Sequence, residues 1–195
     1  GGFALPQSPP ASGFNATAAG EFATAYGAGS QASGVSSTAL GGYAYIFNGH
    51  TGERELLPTL AAGQESAAFG AGAQALQYAA IAIGSSAYAG GEMAVSLGGS
   101  AVGDSSTAVG RNAYAQFYGT ALGKGAAAAD QSVALGAGSV ASGVNAISIG
   151  GGFAMERDSM AIGTLSSAQG VGSIAIGDGA MALADDSIVL GMNSD

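Results

Sequence analysis

The sequence predicts an all-β protein, a flattened solenoid or β-roll in which each turn of 13–14 residues contributes two short strands. Three observations predict this fold: glycines at a nearly fixed spacing, an alternation of large and small residues before each glycine, and charges confined to the segments between strands. A short period that runs along all 195 residues indicates a repeat architecture, so we expect one continuous array.

A glycine closes each repeat unit. Successive closing glycines follow one another at intervals of 12 to 14 residues, except for one interval of 29 that contains 15 extra residues. Glycine permits a positive φ and a close approach of two backbones, so we expect these residues at the corners where the chain reverses. The twelve closing glycines are Gly27, Gly41, Gly70, Gly84, Gly98, Gly110, Gly123, Gly136, Gly150, Gly163, Gly177 and Gly191.

The residues before each closing glycine predict the first strand. The last of them is bulky and apolar in every unit, and the one before it is Ala or Ser except at Val189. This alternation has the two-residue period of a strand. A strand with one solvated face would alternate apolar with polar residues, which this one does not. We therefore expect both faces to be covered, the bulky one by a sibling chain in a symmetric ring.

The residues after each closing glycine predict a second strand. Two alanines flank one variable residue, as in Ala87-Tyr88-Ala89, so we expect the alanines to point inward and the variable residue outward. The outward residues are either contacts for a ligand or ordinary residues of the wall. The candidates for ligand contact are Tyr88, Val102, Tyr114, Val140 and Met181.

Charged residues mark the connections. Outside the extra residues and Asp195, each one lies directly after a closing glycine or five to seven residues before one. Charge is thus absent from the strands, which agrees with a two-strand coil. The formal net charge of −9 argues against a nucleic acid partner, because phosphates require a basic surface.

The composition offers little for catalysis. The chain has one His and no Cys, so a nucleophile with a paired base is not indicated. Calcium-binding rolls carry an Asp in each unit, whereas the Asp residues here are scattered, and no zinc-ligand spacing occurs. An ice-binding array of Thr is also disfavoured, because few units have Thr at the corresponding position. We expect no enzyme activity, no catalytic residue, no metal site and no cofactor.

The extra residues, at about 46–60, predict a β-hairpin. Asn48-Gly49 is a strong turn signal, and apolar residues flank it on both sides. The segment also carries His50 and Arg54. It could clamp neighbouring chains, contact a ligand, or be an insertion that a corner tolerates without a function of its own.

The ends of the chain differ from its middle. Residues 1–12 are rich in Pro and Ser and lack the period, so we expect a linker there and the roll from 13 to 195. The chain starts with Gly-Gly and has no initial Met, so we expect it to be a fragment of a longer protein.

The repeat unit G-x-x-A-x-A-x-x-x-S-x-A-[IVL]-G resembles the YadA-like head repeat of the trimeric autotransporter adhesins of Gram-negative bacteria. Clear copies read GKGAAAADQSVALG at 123–136 and GDGAMALADDSIVLG at 177–191, and the resemblance extends over about 13–191. The insertion resembles the head-insertion motifs of that family.

This resemblance implies a left-handed parallel β-roll in a homotrimer, displayed on the bacterial surface by a stalk and a C-terminal membrane anchor. It also implies a virulence-related adhesin that attaches to host cells or extracellular matrix. The alternative is a structural spacer that presents another binding domain of a surface fibre.

Overall fold

The computed structural model describes residues 10–47 and 54–194 of the chain. Within these residues all regular secondary structure is β-strand, and no helix occurs. The chain divides into two compact units, residues 1–98 and 99–195. In each unit the chain coils through two parallel sheets, called sheet 1 and sheet 2 below, so the predicted all-β solenoid of short turns is confirmed.

The first unit builds sheet 1 from strands of two or three residues and sheet 2 from strands of two. Its sheet 1 contains β1 (Ala11–Ser12), β3 (Thr24–Tyr26), β5 (Thr38–Leu40), β9 (Ala67–Phe69), β11 (Ile81–Ile83) and β13 (Val95–Leu97). Its sheet 2 contains β2 (Thr17–Ala18), β4 (Gln31–Ala32), β8 (Leu60–Ala61), β10 (Gln74–Ala75) and β12 (Tyr88–Ala89). A separate antiparallel pair consists of β6 (Ala44–Phe47) and β7 (Arg54–Leu57).

The second unit repeats the coil without an insertion. Its sheet 1 contains β15 (Thr107–Val109), β17 (Thr120–Leu122), β19 (Val133–Leu135), β21 (Ile147–Ile149), β23 (Met160–Ile162), β25 (Ile174–Ile176) and β27 (Ile188–Leu190). Its sheet 2 contains β14 (Ser100–Ala101), β16 (Tyr114–Ala115), β18 (Ala127–Ala128), β20 (Val140–Ala141), β22 (Phe153–Ala154), β24 (Ser167–Ala168) and β26 (Met181–Ala182).

The interior of each coil is lined by small side chains. The middle residue of each three-residue strand of sheet 1 faces inward, and Ala121 and Ala134 there are fully buried. The alanines predicted to line sheet 2, such as Ala126 and Ala128, are buried as well. Parallel pairing stacks small residues on small residues, as where Ala134 pairs with Ser148. The predicted inward position of the small residues is confirmed.

Buried serines complete the backbone hydrogen bonding of the corners. Ser106 Oγ donates to the carbonyl oxygen of Gly103 at 2.6 Å, and Ser173 Oγ donates to that of Gly170 at 2.7 Å. The same arrangement, three residues apart, recurs at Ser66 and Ser159. The backbone amide of the same serine also donates to each of these carbonyls. The side-chain bond therefore satisfies the buried hydroxyl itself, which would destabilise the fold without a partner.

Two four-residue turns close each regular coil. We call the turn after a sheet 1 strand the exit corner, for example 123–126, and the turn before one the entry corner, for example 129–132. In both, the fourth amide donates to the first carbonyl: Ala126 N lies 3.2 Å from Gly123 O, and Ser132 N lies 3.3 Å from Ala129 O. The third residue of most corners has a left-handed backbone conformation with a positive φ. Gly, Asn, Asp and Ser are therefore frequent there.

Eleven of the twelve closing glycines have a positive φ, as the corner prediction requires, and Gly41 is the exception. Gly123 shows a second requirement besides φ (+139°): a Cβ on it would lie 2.5 Å from the carbonyl oxygen of Gly136 in the next coil. Stacked backbones thus leave no room for a side chain at this corner.

The predicted hairpin is present and leaves the coil at the exit corner after β5. Its strands begin at Ala44, which pairs with Leu57, two residues before the predicted boundary. The predicted turn residues Asn48, Gly49 and His50 lie outside the described residues. At the base, Thr59 is fully buried, and its Oγ1 lies 2.8 Å from Gly42 O and 2.7 Å from Gly70 O.

The coil resumes at Thr59, because β8 pairs with both β4 and β10 as if no residues intervened. At the other end of the described chain, β1 already pairs with β3, with Ala11 opposite Ala25. The described coil therefore starts two residues before the predicted start of the roll at 13.

Candidate binding surfaces

The outer face of sheet 1 is apolar at nearly every level. The first and third residues of each strand point away from the coil, and the third is always bulky and apolar from β3 to β27. In the second unit, Leu122 is 38% exposed and Ile176 is 36% exposed. In the first unit, Leu40 is 45% exposed and Leu97 is 39% exposed. Contiguous apolar surface of this kind marks an interface.

The outer face of sheet 2 is mixed. In the second unit one column of outward residues runs through successive strands, and its members vary from large to small. These residues are Ser100, Tyr114, Ala127, Val140, Phe153, Ser167 and Met181. In the first unit Tyr88 occupies the equivalent position and pairs with Gln74. Four of the five predicted contact residues therefore point outward from a sheet 2 strand.

Val102 is the fifth predicted contact residue, and it lies outside this column. Because the turn between Gly98 and Gly110 is shorter, Ser100 pairs with Tyr114, and Val102 follows the strand. A shortened corner of three consecutive glycines, 150–152, likewise places Phe153 in the column. Counting from the closing glycine missed Phe153. Counting from the alanine that ends each sheet 2 strand, here Ala101 and Ala154, would have found both positions.

Small residues in the column leave shallow depressions. One of about 270 Å³ has Ala127–Ala129 as its floor, with Tyr114 and Gln116 on one side and Ala141 and Ser142 on the other. A second, of about 430 Å³, is lined by Phe153, Met155, Glu156, Ser167 and Gln169. Each combines an aromatic ring with amide and hydroxyl groups, which suits contact with a polar polymer such as a protein or a glycan.

The corners of the second unit carry its charged residues. Arg111 and Lys124 lie on consecutive exit corners, where Gly125 N donates to Arg111 O at 3.0 Å. Entry corners carry mainly acidic residues, including Asp104 and Asp130. Arg157 lies on an entry corner and pairs with the adjacent Asp158, with Nε and Oδ2 separated by 3.3 Å and both side chains more than half exposed. An exposed pair of this kind contributes little to stability.

The YadA head domain repeat, described in two copies, matches seven stretches that together cover more than half of the chain: 11–30, 23–44, 61–87, 101–126, 127–152, 157–180 and 168–194. The chain belongs to the YadA head family. This family is that of surface-exposed heads of trimeric autotransporter adhesins, and it implies homotrimer assembly in general. No curated protein matches the chain.

The gap between two matched stretches of this YadA head, 45–60, contains both hairpin strands except their first residue, Ala44. In the described part of the hairpin, Arg54 is exposed and pairs with Phe47 across the two strands. Tyr45 and Leu56, another cross-strand pair, are 71% and 52% exposed. The hairpin therefore adds an apolar surface of its own to the first unit.

Two further findings concern the described residues of this YadA head. They contain no group of three or more His, Cys, Asp or Glu side chains that could hold a metal ion. They also contain no helix with the length and apolar character needed to cross a membrane.

Proposed function

We propose that this YadA head forms a homotrimer whose three sheet 1 faces pack together, and that it serves as an adhesin head on the outer surface of a bacterium. The observation that carries the proposal is the apolar outer face of sheet 1, which a single chain leaves exposed. Burying one bulky apolar side chain contributes about 1.5–3 kcal/mol, and each unit offers such a residue at nearly every level.

Within this arrangement, the outer face of sheet 2 is the surface available to a host molecule. Tyr88, Tyr114, Val140 and Met181 point outward there, with Val102 beside them. The ligand we propose is a component of the extracellular matrix or of the host cell surface. Three copies of each weak site strengthen attachment by avidity, so no single deep pocket is required.

The alternative is a spacer that lifts another binding domain away from the cell. The observation in its favour is the small size of several residues in the sheet 2 column, such as Ser100, Ala127 and Ser167. Neither function calls on catalysis, and the buried serines named above already donate their hydroxyls to corner carbonyls.

The test of assembly is the solution mass of the chain by sedimentation equilibrium. The proposal predicts three times the chain mass of 18.4 kDa. A stable monomer with the same β-rich circular dichroism spectrum would overturn it.

The test of adhesion is binding to immobilised matrix proteins and to host cells. The variant Tyr114→Ala should weaken binding, and Ser85→Ala, at an exposed exit corner, is the matched control. Undiminished binding by Tyr114→Ala would exclude the depression over Ala127–Ala129 as the contact. No binding by a correctly assembled trimer would favour the spacer.

A third variant separates the hairpin from the roll. Replacing residues 43–58 by one glycine restores a four-residue corner, Gly41-Gly42-Gly-Thr59, and leaves buried Thr59 in place. If the hairpin contacts the ligand, the variant assembles but binds less. If the hairpin joins neighbouring chains, the variant dissociates more readily.

A further inference from the structure

The corners of the second unit carry a charge pattern that the proposed packing of sheet 1 does not by itself explain. Arg111 and Lys124 lie on the exit corners of β15 and β17, and both are exposed. Asp104 lies on the entry corner of β15, Phe117 and Tyr118 on that of β17, and Asp130 on that of β19. Each strand of sheet 1 runs from its entry corner to its exit corner, so the two sets occupy opposite edges of the sheet.

These residues form two continuous columns. Tyr118 N donates to Asp104 O at 3.0 Å, and Gln131 N donates to Phe117 O at 2.7 Å, so the entry corners stack from one coil to the next. The exit corners stack in the same way through Gly125 N and Arg111 O. At the levels of β15 to β19, a basic column on one edge therefore lies opposite a column of acidic and aromatic residues on the other. Farther along the unit, Asp178 is on an exit corner and Arg157 on an entry corner.

The aromatic residues of the entry column are exposed in a single chain. Phe117 is 50% exposed and Tyr118 is 62% exposed. Tyr118 also has a φ of +56°, a left-handed conformation that is uncommon for a bulky residue. Neither ring is needed to fill the interior, which is lined by small residues. Their exposure points to a contact outside the protomer.

Symmetry determines which edges meet. In a parallel ring with sheet 1 facing the axis, rotation brings the exit edge of one protomer beside the entry edge of the next, at the same level. An antiparallel pair would instead place exit edge against exit edge and bring the basic column close to itself. Opposite charges across an interface select partners and orientation.

We propose that the seam between neighbouring protomers is closed by Arg111 and Lys124 of one chain against Asp104, Phe117, Tyr118 and Asp130 of the next. This inference rests on the proposed trimer. At the level of β15, Arg111 faces Asp104. At the level of β17, Lys124 faces the two aromatic rings, where a cation–π contact is favourable, with Asp130 one level away. The seam would set the parallel orientation of the three chains.

The principal experiment uses cross-linking, because the chain has no Cys of its own. The double variant Arg111→Cys/Asp104→Cys is treated with a short bis-maleimide, and Arg111→Cys alone is the matched control. The seam predicts covalent dimers and trimers of the double variant on a denaturing gel. It predicts no covalent product of the single variant, because two exit corners do not meet.

Each other outcome has a distinct meaning. Covalent dimers of Arg111→Cys alone would show exit corners in contact and overturn the seam. A trimer by sedimentation that yields only monomer bands would overturn the seam and leave the proposed trimer standing. A monomer by sedimentation would overturn both.

Charge reversal gives a second, independent measurement. Arg111→Glu/Lys124→Glu should raise the dissociation constant of the trimer about tenfold or more at low salt, and less at high salt. Adding Asp104→Lys/Asp130→Lys should restore association. Failure of the fourfold variant to restore association would contradict the seam.

Discussion

Sheet 1 and sheet 2 share one interior but have different exteriors. Both contribute small residues to the inside of the coil, such as Ala134 from β19 and Ala128 from β18, each almost completely buried. Outside, sheet 1 is bulky and apolar at nearly every level, whereas sheet 2 alternates among aromatic, aliphatic and small residues. The difference shows that the interior restricts the size of side chains, whereas the side chains on each outer face depend on what covers that face. A repeated apolar exterior suits a repeated partner, and a varied exterior suits a ligand or solvent.

The largest effect is expected from substitutions on the outer face of sheet 1, and it concerns assembly. Leu122→Asp/Leu135→Asp places two charges on the outer face of sheet 1 and should convert the trimer to monomers, because each lost apolar contact costs about 1.5–3 kcal/mol. Sedimentation equilibrium measures the mass. The same change on sheet 2, Tyr114→Asp, should leave the mass unchanged. If both variants remain trimeric, sheet 1 is not the interface.

A smaller effect is expected inside the coil. Ala134→Leu adds volume where both sheets leave no space and should lower the free energy of unfolding by about 2–3 kcal/mol. The matched change Ala127→Leu, on the outer face of sheet 2, should alter stability by less than about 0.5 kcal/mol. Urea unfolding checks both variants. Comparable losses of unfolding free energy would mean that the interior does not restrict side-chain size more than the outer face of sheet 2 does.

A still smaller effect is expected from substitutions at the corners that join the two sheets. Gly123→Ala introduces a Cβ 2.5 Å from Gly136 O, whereas Gly125→Ala, also at a positive φ, meets nothing within 4 Å. Gly125, with a φ of +67°, is in the left-handed region, where an alanine costs about 1–2 kcal/mol. Gly123, with a φ of +139°, is in a region that is essentially restricted to glycine. This backbone conformation and the contact with Gly136 should together make Gly123→Ala the less stable variant, by about 1 kcal/mol or more. Equal melting temperatures would contradict the close stacking of the corners.

The smallest effect concerns a single hydroxyl. Ser106→Ala removes the hydroxyl that donates to Gly103 O, keeps the backbone amide that also donates to it, and should cost about 1 kcal/mol. Ser142→Ala, at an exposed position directly after β20, should cost less than about 0.5 kcal/mol. Thermal unfolding of the two variants, compared with the parent chain, measures the difference. A neutral Ser106→Ala would mean that packing alone accounts for the buried serines.

Periodicity made most of the coil predictable. Alternation of large and small residues identified the strands, and the spacing of glycines identified the corners. Two details required the structure. Ser100 rather than Val102 occupies the sheet 2 column, because a shortened corner shifts the register by two residues. The hairpin begins at Ala44 rather than near 46, since pairing with Leu57 extends its strands toward the coil.

The candidate surfaces were less predictable than the fold. Counting from closing glycines found Tyr114 and Val140 but missed Phe153, because the corner before it is one residue shorter. The sequence alone also did not indicate that Arg111 and Asp104 lie at opposite edges of sheet 1. The two residues are seven apart in the chain, and only their positions at the two ends of β15 assign them to opposite edges.

The sequence by itself determined the repeating unit, the strand pattern, the small interior and the family, because each of these depends on residues within one turn of the coil. Only the tertiary structure decided which outward residues share a column and which corners stack on one another. Those relations depend on hydrogen bonds between residues a full turn apart. There, a change of one or two residues in a corner shifts the register of the following strand.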